Sequence, residues 1–210
     1  MARSQEGTAR PRGRPRQYDP EQALANAAAA FWKQGYAATS LDDLVAATGM
    51  NRPSLYAAFG DKRDLYLGTL KRYQQQFRAI GAQITADDPP LRVFLKRFYE
   101  AALEIYLESG DTARGCYSIS TAPAQAATDP AVRDFLAASI AGADAFVAKQ
   151  IAKARDRGEI PTEADSHALA QLATAALHTI AIRARVGVPR KQLRAVAAAV
   201  IDVICGPLKA

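Results

Sequence analysis

Arg52, Ser54 and Tyr56 crowd one short stretch, NRPSLYAAFGDK, which ends at Lys62. Each carries a group suited to a nucleic acid: a guanidinium takes guanine O6 and N7 together, while hydroxyls and an ammonium fix register on phosphates. In a helix, Leu55 and Phe59 fall at i and i+4 on one side, and Pro53, Ser54, Tyr56 and Ala57 point away at about 100° per residue. Arg52 stands at the flank. Pro53 has no side-chain donor or acceptor and offers at most an apolar touch to a thymine methyl, which leaves Arg52 as the base reader.

A second set of residues suggests different chemistry. Cys116 with His178 or His167 would be a thiol and a base, the beginnings of a nucleophilic enzyme. Nothing in the spacing brings them together, and the chain has no nucleophile-elbow or phosphate-loop glycine pattern. Two Cys and two His are too few for a structural zinc site of four such ligands. With Met only at positions 1 and 50, the supply of soft ligands for a copper-type effector is thin. We therefore expect no catalytic site, metal or cofactor.

Two short helices must position the first set. Ser40 and Asp43 have the spacing of a capping box at a helix start, and Leu41, Leu44 and Val45 give an apolar stripe. Gly49 suits a tight turn that needs positive φ. Asn51 caps the next helix, with Pro53 in its first turn and Met50 at the corner. An apolar-backed helix with a polar, aromatic and basic front has the width of a major groove. The same spacing also fits an ordinary αα-hairpin.

The run GYAATSLDDLVAATGMNRPSLYAAFGDKRDLY, Gly35 to Tyr66, closely resembles the DNA-binding domain of the TetR family of bacterial transcriptional regulators. The match spans about the first seventy residues and includes the turn glycine, the Leu-Tyr pair, the Phe and the Lys in register. The resemblance implies a homodimeric regulator, usually a repressor, on a near-palindromic double-stranded DNA operator, released by a small-molecule effector. It places Thr39, Ser40, Tyr56 and Lys62 on phosphates, with Asn51 at the start of the recognition helix and Arg52, Pro53 and Ser54 where bases are read. Thr39 and Ser40 also stand at a helix start, whose positive end suits a phosphate.

Composition agrees without deciding. The 210 residues carry a net charge of +6, which favours an anionic partner. The first sixteen hold five Arg against one Glu, whereas residues 17 to 68 hold four basic and six acidic residues. That arm reads as disordered, and its RGRPR core, with Arg12, Arg14 and Arg16, resembles an AT-hook whose arginines lie in a narrow minor groove. A merely solvated basic tail has the same composition. An architectural binder of A·T-rich DNA, acting through the arm alone, is the alternative function. The polar N-terminus and the lack of any stretch approaching about 18 apolar residues predict a cytoplasmic protein with no membrane partner, its cysteines reduced.

The remaining chain reads as helices, giving an all-α protein of about nine. Asp19 and Pro20 start the first, with Leu24, Ala27, Ala28, Phe31 and Trp32 inward. A long lever runs from near Asp61 to Thr85, about 36 Å at ~1.5 Å per residue. An amphipathic helix follows from Leu91 to Glu108, then a poorly helical piece around Pro123, a long helix from Pro130 to Arg157, and two more over Ala164–Val186 and Arg190–Ile204. The organisation is a basic arm over 1–16, a three-helix helix-turn-helix domain over 17–63, and a helical effector-binding and dimerisation domain over 64–210. Ala168, Ala175, Ala176, Ala197 and Ala198 permit close helix approach and make the last two helices candidates for a dimer interface or for packing inside one subunit.

The resemblance further places an effector pocket beside the lever, suggesting Phe77, Phe98, Tyr99, Tyr106, Tyr117 and His178 as walls, although aromatics at helical spacing are equally plain core. The segment RGCYSIS, Arg114 to Ser120, looks like the Gly-Cys of a TetR subgroup that includes NemR, AcuR and ComR relatives, where the cysteine lies in or near the effector site. Cys116 would then be a sensor thiol if Arg114 and a helix N-terminus lowered its pKa, or else an inert core cysteine.

Overall fold

The computed structural model describes residues 18–107 and 114–207. The arm with Arg12, Arg14 and Arg16 lies outside the described residues. Among those described there are nine α-helices and no strand.

The first three helices are set by local signals. In α1 (Pro20–Gln34), Asp19 accepts from the Glu21 amide and Pro20 fills the first turn. Its inward face is Ala23, Ala27 and Phe31, while Leu24, Ala28 and Trp32 are only partly covered. In α2 (Leu41–Thr48), Ser40 and Asp43 form the expected reciprocal cap, and Gly49 closes the helix in the left-handed region at φ 69°. In α3 (Arg52–Phe59), Asn51 Oδ1 accepts from the Ser54 amide at 2.9 Å. Leu44, Met50 and Leu55 seal this triangle.

Next, α4 (Lys62–Ile84) leaves it through a second reciprocal cap between Asp61 and Asp64. It buries Leu65, Tyr66, Leu70 and Tyr73 near its start, whereas Phe77, Ile80 and Ile84 are partly exposed farther along. Beyond it, α5 (Leu91–Leu107) packs against α8 (Ser166–Arg185) and α9 (Arg190–Cys205), and α7 (Pro130–Asp156) packs against α6 (Tyr117–Ala126) and α8.

Two expectations need correction. The piece around Pro123 is a regular helix of ten residues, α6, with Pro123 inside it on the exposed side. Burial of Tyr117, Thr121 and Ala122 outweighs the one backbone bond that proline forfeits. Second, α7 does contain an 18-residue window with a mean hydropathy of 1.3, long and apolar enough to cross a bilayer by length and composition. Its alanines raise the hydropathy, and it packs along α6 and α8.

Small residues on the last two helices divide between two roles. Ala176 and Ala197 are buried inside the subunit, whereas Ala168, Ala175 and Ala198 face outward.

Candidate nucleic-acid interface and effector cavity

The outer face of α3 is built as its sequence suggests. Leu55 is buried and Phe59 partly so, while Arg52, Pro53, Tyr56 and Ala57 are exposed and Ser54 is half-buried. Without DNA, Arg52 Nη2 donates to Asp42 Oδ1 of α2 at 2.7 Å, an exposed pair that holds weakly in water. The pair links α3 to α2. Asp42 had no role in the sequence reading.

The phosphate candidates differ in availability. Lys62 Nζ lies 4.5 Å from the Tyr36 ring centroid, and partial burial lowers its pKa against the pull of Asp43. Tyr56 is 44% exposed, so its hydroxyl is free to reach outward. Ser40 is exposed, but its hydroxyl donates to Asp43 Oδ2 at 2.6 Å and accepts from the Asp43 amide. Asn51 spends its side-chain oxygen on the α3 cap. Thr39 is fully buried and donates to the Gly35 carbonyl at 2.7 Å, so in this conformation it braces the turn before α2 and does not face a phosphate.

A cavity of about 480 Å³ lies between α4 and the helices after it. Phe77, Phe98, Tyr106, Cys116 and His178 line it, as the sequence suggests. Tyr99 and Tyr117 do not. Tyr99 donates to the Ala173 carbonyl at 2.9 Å, and Tyr117 turns toward α4, where its hydroxyl meets Thr69 Oγ1 at 2.7 Å. The walls that sequence reading missed include Tyr73, Arg78, Ile119, Leu177 and the inward row of α7, with Leu136, Ser139 and Phe146. The three-and-four spacing of that row was visible, but nothing local distinguishes a cavity wall from core.

Cys116 sits at the mouth of α6 beneath Tyr73, whose hydroxyl donates to Sγ at 3.6 Å. Burial raises the thiol's pKa, although the Ile119 and Ser118 amides and the two nearby phenols pull it down. The expected help from Arg114 does not materialise, since its guanidinium lies over the Trp32 ring, 5.7 Å from the centroid. The thiol is thus held protonated, a poor nucleophile in the absence of a base. His178 shares the cavity, while His167 is exposed on the first turn of α8. Burial lowers the His178 pKa from its ordinary 6.5, with Asp144 opposing.

Gly115 explains the Gly-Cys pair. Its φ is +65°, and a Cβ there would stand 2.5 Å from the Ala181 carbonyl of α8. Only glycine lets this loop seat on α8 and hold Cys116 at the cavity.

The cavity is joined to α3's domain by contacts at successive turns of α4. Below Tyr73 and Cys116 come Thr69 with Tyr117, then the Tyr66 hydroxyl with Thr121 Oγ1 at 2.7 Å. Trp32 of α1 packs against both Tyr73 and Tyr117. At the bottom, Arg63 makes a two-pronged pair with Asp129, at 2.5 and 3.1 Å.

A helix-turn-helix with an exposed basic recognition helix, joined by a lever to a helical domain with a cavity, defines a one-component DNA-binding regulator. Comparison with known proteins gives the family. Residues 23–69 match the model of bacterial regulatory proteins of the tetR family, and residues 94–200 match a tetracyclin repressor-like C-terminal domain. The chain is 33% identical over 187 residues to the HTH-type transcriptional repressor ComR of Escherichia coli (strain K12), covering 89% of each. Cysteine-substituted CifR in complex with 26-base-pair operator DNA shares 28% identity at a TM-score of 0.80, over 90% of this chain and 98% of that one. Reduced NemR of E. coli shares the fold at 17% identity and a TM-score of 0.78, over 90% of this chain and 98% of that one. The chain belongs to the TetR family of transcriptional regulators.

Proposed function

We infer that the protein is a dimeric repressor that binds a near-palindromic operator and releases it when a small molecule fills the cavity beside α4. The observation that carries this reading is the ladder from Cys116 and Tyr73 down to Arg63 and Asp129. It ties the cavity wall to the base of α4, one residue after Lys62. A ligand that repositions Tyr73 biases the angle at which α3 is presented, and affinity for two half-sites falls when the spacing of two recognition helices departs from one DNA turn.

Dimerisation is supported by the outer face of α8. Ala168, Leu172, Ala175, Thr179, Ile182 and Val186 recur at alternating fours and threes, all exposed, the seam of a helical bundle. Ile182 is 57% and Val186 74% exposed, and on α9 Val203 is 68% exposed. Such a continuous apolar face marks an interface. On DNA, Arg52 reads bases, Ser54 and Pro53 stand beside it, and Lys62, Tyr56 and the α2 start at Ser40 hold phosphates. The working compartment is the cytoplasm, where the operator lies.

The relatives are transcriptional regulators, and the protonated Cys116 gives a Cys/His enzyme no activated nucleophile. Moving the operator half-sites apart by about half a helical turn, roughly five base pairs, should abolish tight binding in a gel shift, and a full-turn insertion should restore part of it. Binding indifferent to spacing would favour the architectural alternative.

A further inference from the structure

Among the described residues, four of those that line the cavity are exposed: Arg78 and Ala82 on α4, Ile140 and Gly142 on α7. Its walls from α5, α6 and α8 are buried or half-buried, so the cavity meets solvent between α4 and α7. Two contacts cross that seam at one register. Gln74 Nε2 donates to Ser139 Oγ at 2.9 Å, and Gly81 packs under Phe146, where a Cβ would stand 3.2 Å from Cζ. They lie two turns apart, about 10 Å along the helices, and the register sets Arg78 level with Gly142 and Ala143 between them. A Cβ on Gly142 would meet nothing within 4 Å. This glycine, costly in a helix, is not demanded by its neighbours; it leaves a slot open into the cavity.

The charge at this mouth has one sign. Ser118 and His178 also offer polar atoms to the lining, but a hydroxyl and an imidazole that burial keeps neutral at pH 7 bond to any polar ligand and choose no charge. Arg78 is the one lining residue with a full charge among those described, and it makes no ion pair among them. On α4, residues 65 to 84 contain no Asp or Glu, and on α7 residues 136 to 143 contain none. Asp144, the next residue of α7, accepts from the Thr174 hydroxyl of α8. A cation at the mouth would meet only a like charge, whereas an anion keeps part of its hydration there and takes the guanidinium fork. Behind the mouth, Phe77, Phe98 and Leu177 present apolar surface to the rest of the molecule.

We propose that the cavity takes an amphipathic acid through the slot at Gly142, its apolar body between the inner walls and its carboxylate at the mouth on Arg78. This deepens the reading of the cavity as the effector site and rests on it.

The test is calorimetric titration of the full-length protein with decanoate, naphthylacetate and phenylbutyrate, each beside the alcohol and the primary amine of the same skeleton. At least one acid binds, about three- to tenfold tighter than its alcohol and tighter still than its amine. Arg78→Ala removes the advantage over the alcohol, and Arg78→Glu turns the preference to the amine; the residue is exposed, so both variants fold. Gly142→Leu fills the slot and weakens the acid at least about tenfold, while Tm holds or rises because leucine is the better helix former. No acid binding, an acid no better than its alcohol or amine, an advantage that survives Arg78→Ala, or full acid affinity or a fallen Tm in Gly142→Leu would each overturn the proposal. Gel shifts with the native protein separate the two readings. Acid binding that leaves operator affinity unchanged strikes the effector reading and keeps the site, whereas operator binding intact with no acid bound removes this ligand class alone.

Discussion

Arg52 and Lys62 are two cations ten residues apart to which the proposed function gives different tasks. Arg52 is exposed on α3 and paired with Asp42, and in the proposed function its fork reads a guanine edge. Lys62 lies at the first turn of α4 over Tyr36, and in the proposed function it holds a backbone phosphate. Arg52→Ala should weaken the cognate operator on the order of ten- to a hundredfold and random DNA little. Lys62→Ala should weaken both alike and reduce the salt slope by about one. Competition titrations against random duplex measure both, and equal losses for Arg52→Ala would remove its base-reading role. At this scale the caps were legible, because Ser40 with Asp43 and Asn51 with Ser54 bond only across three residues. The fate of Thr39 was not, since its burial depends on how α1 and α2 close over it. The Arg52–Asp42 pair was hidden for the same reason: its partners are ten residues apart and meet only across the turn.

Among the elements, the junction of α4 with α7 has a clear pH signature. Arg63 lowers the Asp129 carboxyl below its ordinary 3.8, helped by the Val132 and Ala131 amides. A carboxyl depressed in the folded state contributes its full stability above 3.8, and that contribution disappears as pH falls through the lowered folded value. The native protein should therefore lose Tm in that acid range more steeply than Asp129→Asn, which keeps a capping oxygen but no charge. Scanning calorimetry at stepped pH measures this, and parallel curves would remove the pair from the junction's energetics. Helix positions were readable from periodicity, as α5 shows. The helical state of α6 was not, because packing of Tyr117 and Ala122 overrides a proline that local rules treat as a break. The cavity was half legible: its α4 and α5 walls lie on amphipathic helices that invited the reading, while its α7 wall looks like any alanine-rich helix.

For the whole molecule, the outer face of α8 decides whether there is a two-headed DNA reader. Ile182→Asp puts a charge into the middle of an apolar seam, where pairing would bury it without a partner. Because Ile182 is exposed within the subunit, the variant should keep its helical signal and cavity while light scattering shows a monomer. Operator affinity should drop to that of one half-site. A variant that remains dimeric would place the interface elsewhere. The small residues hinted at this face, but only the fold separated outward Ala168 and Ala175 from inward Ala176.

The most direct measurement is fluorescence anisotropy of a labelled duplex from the DNA immediately upstream of the gene, titrated across a salt series with randomised duplex of equal length alongside. Specific affinity should exceed random by at least about a thousandfold, with a stoichiometry of two chains per near-palindrome and a steep fall with salt. Equal, salt-sensitive binding to both duplexes would mean that only the basic arm's charge is at work, and would contradict the operator-reading regulator described above.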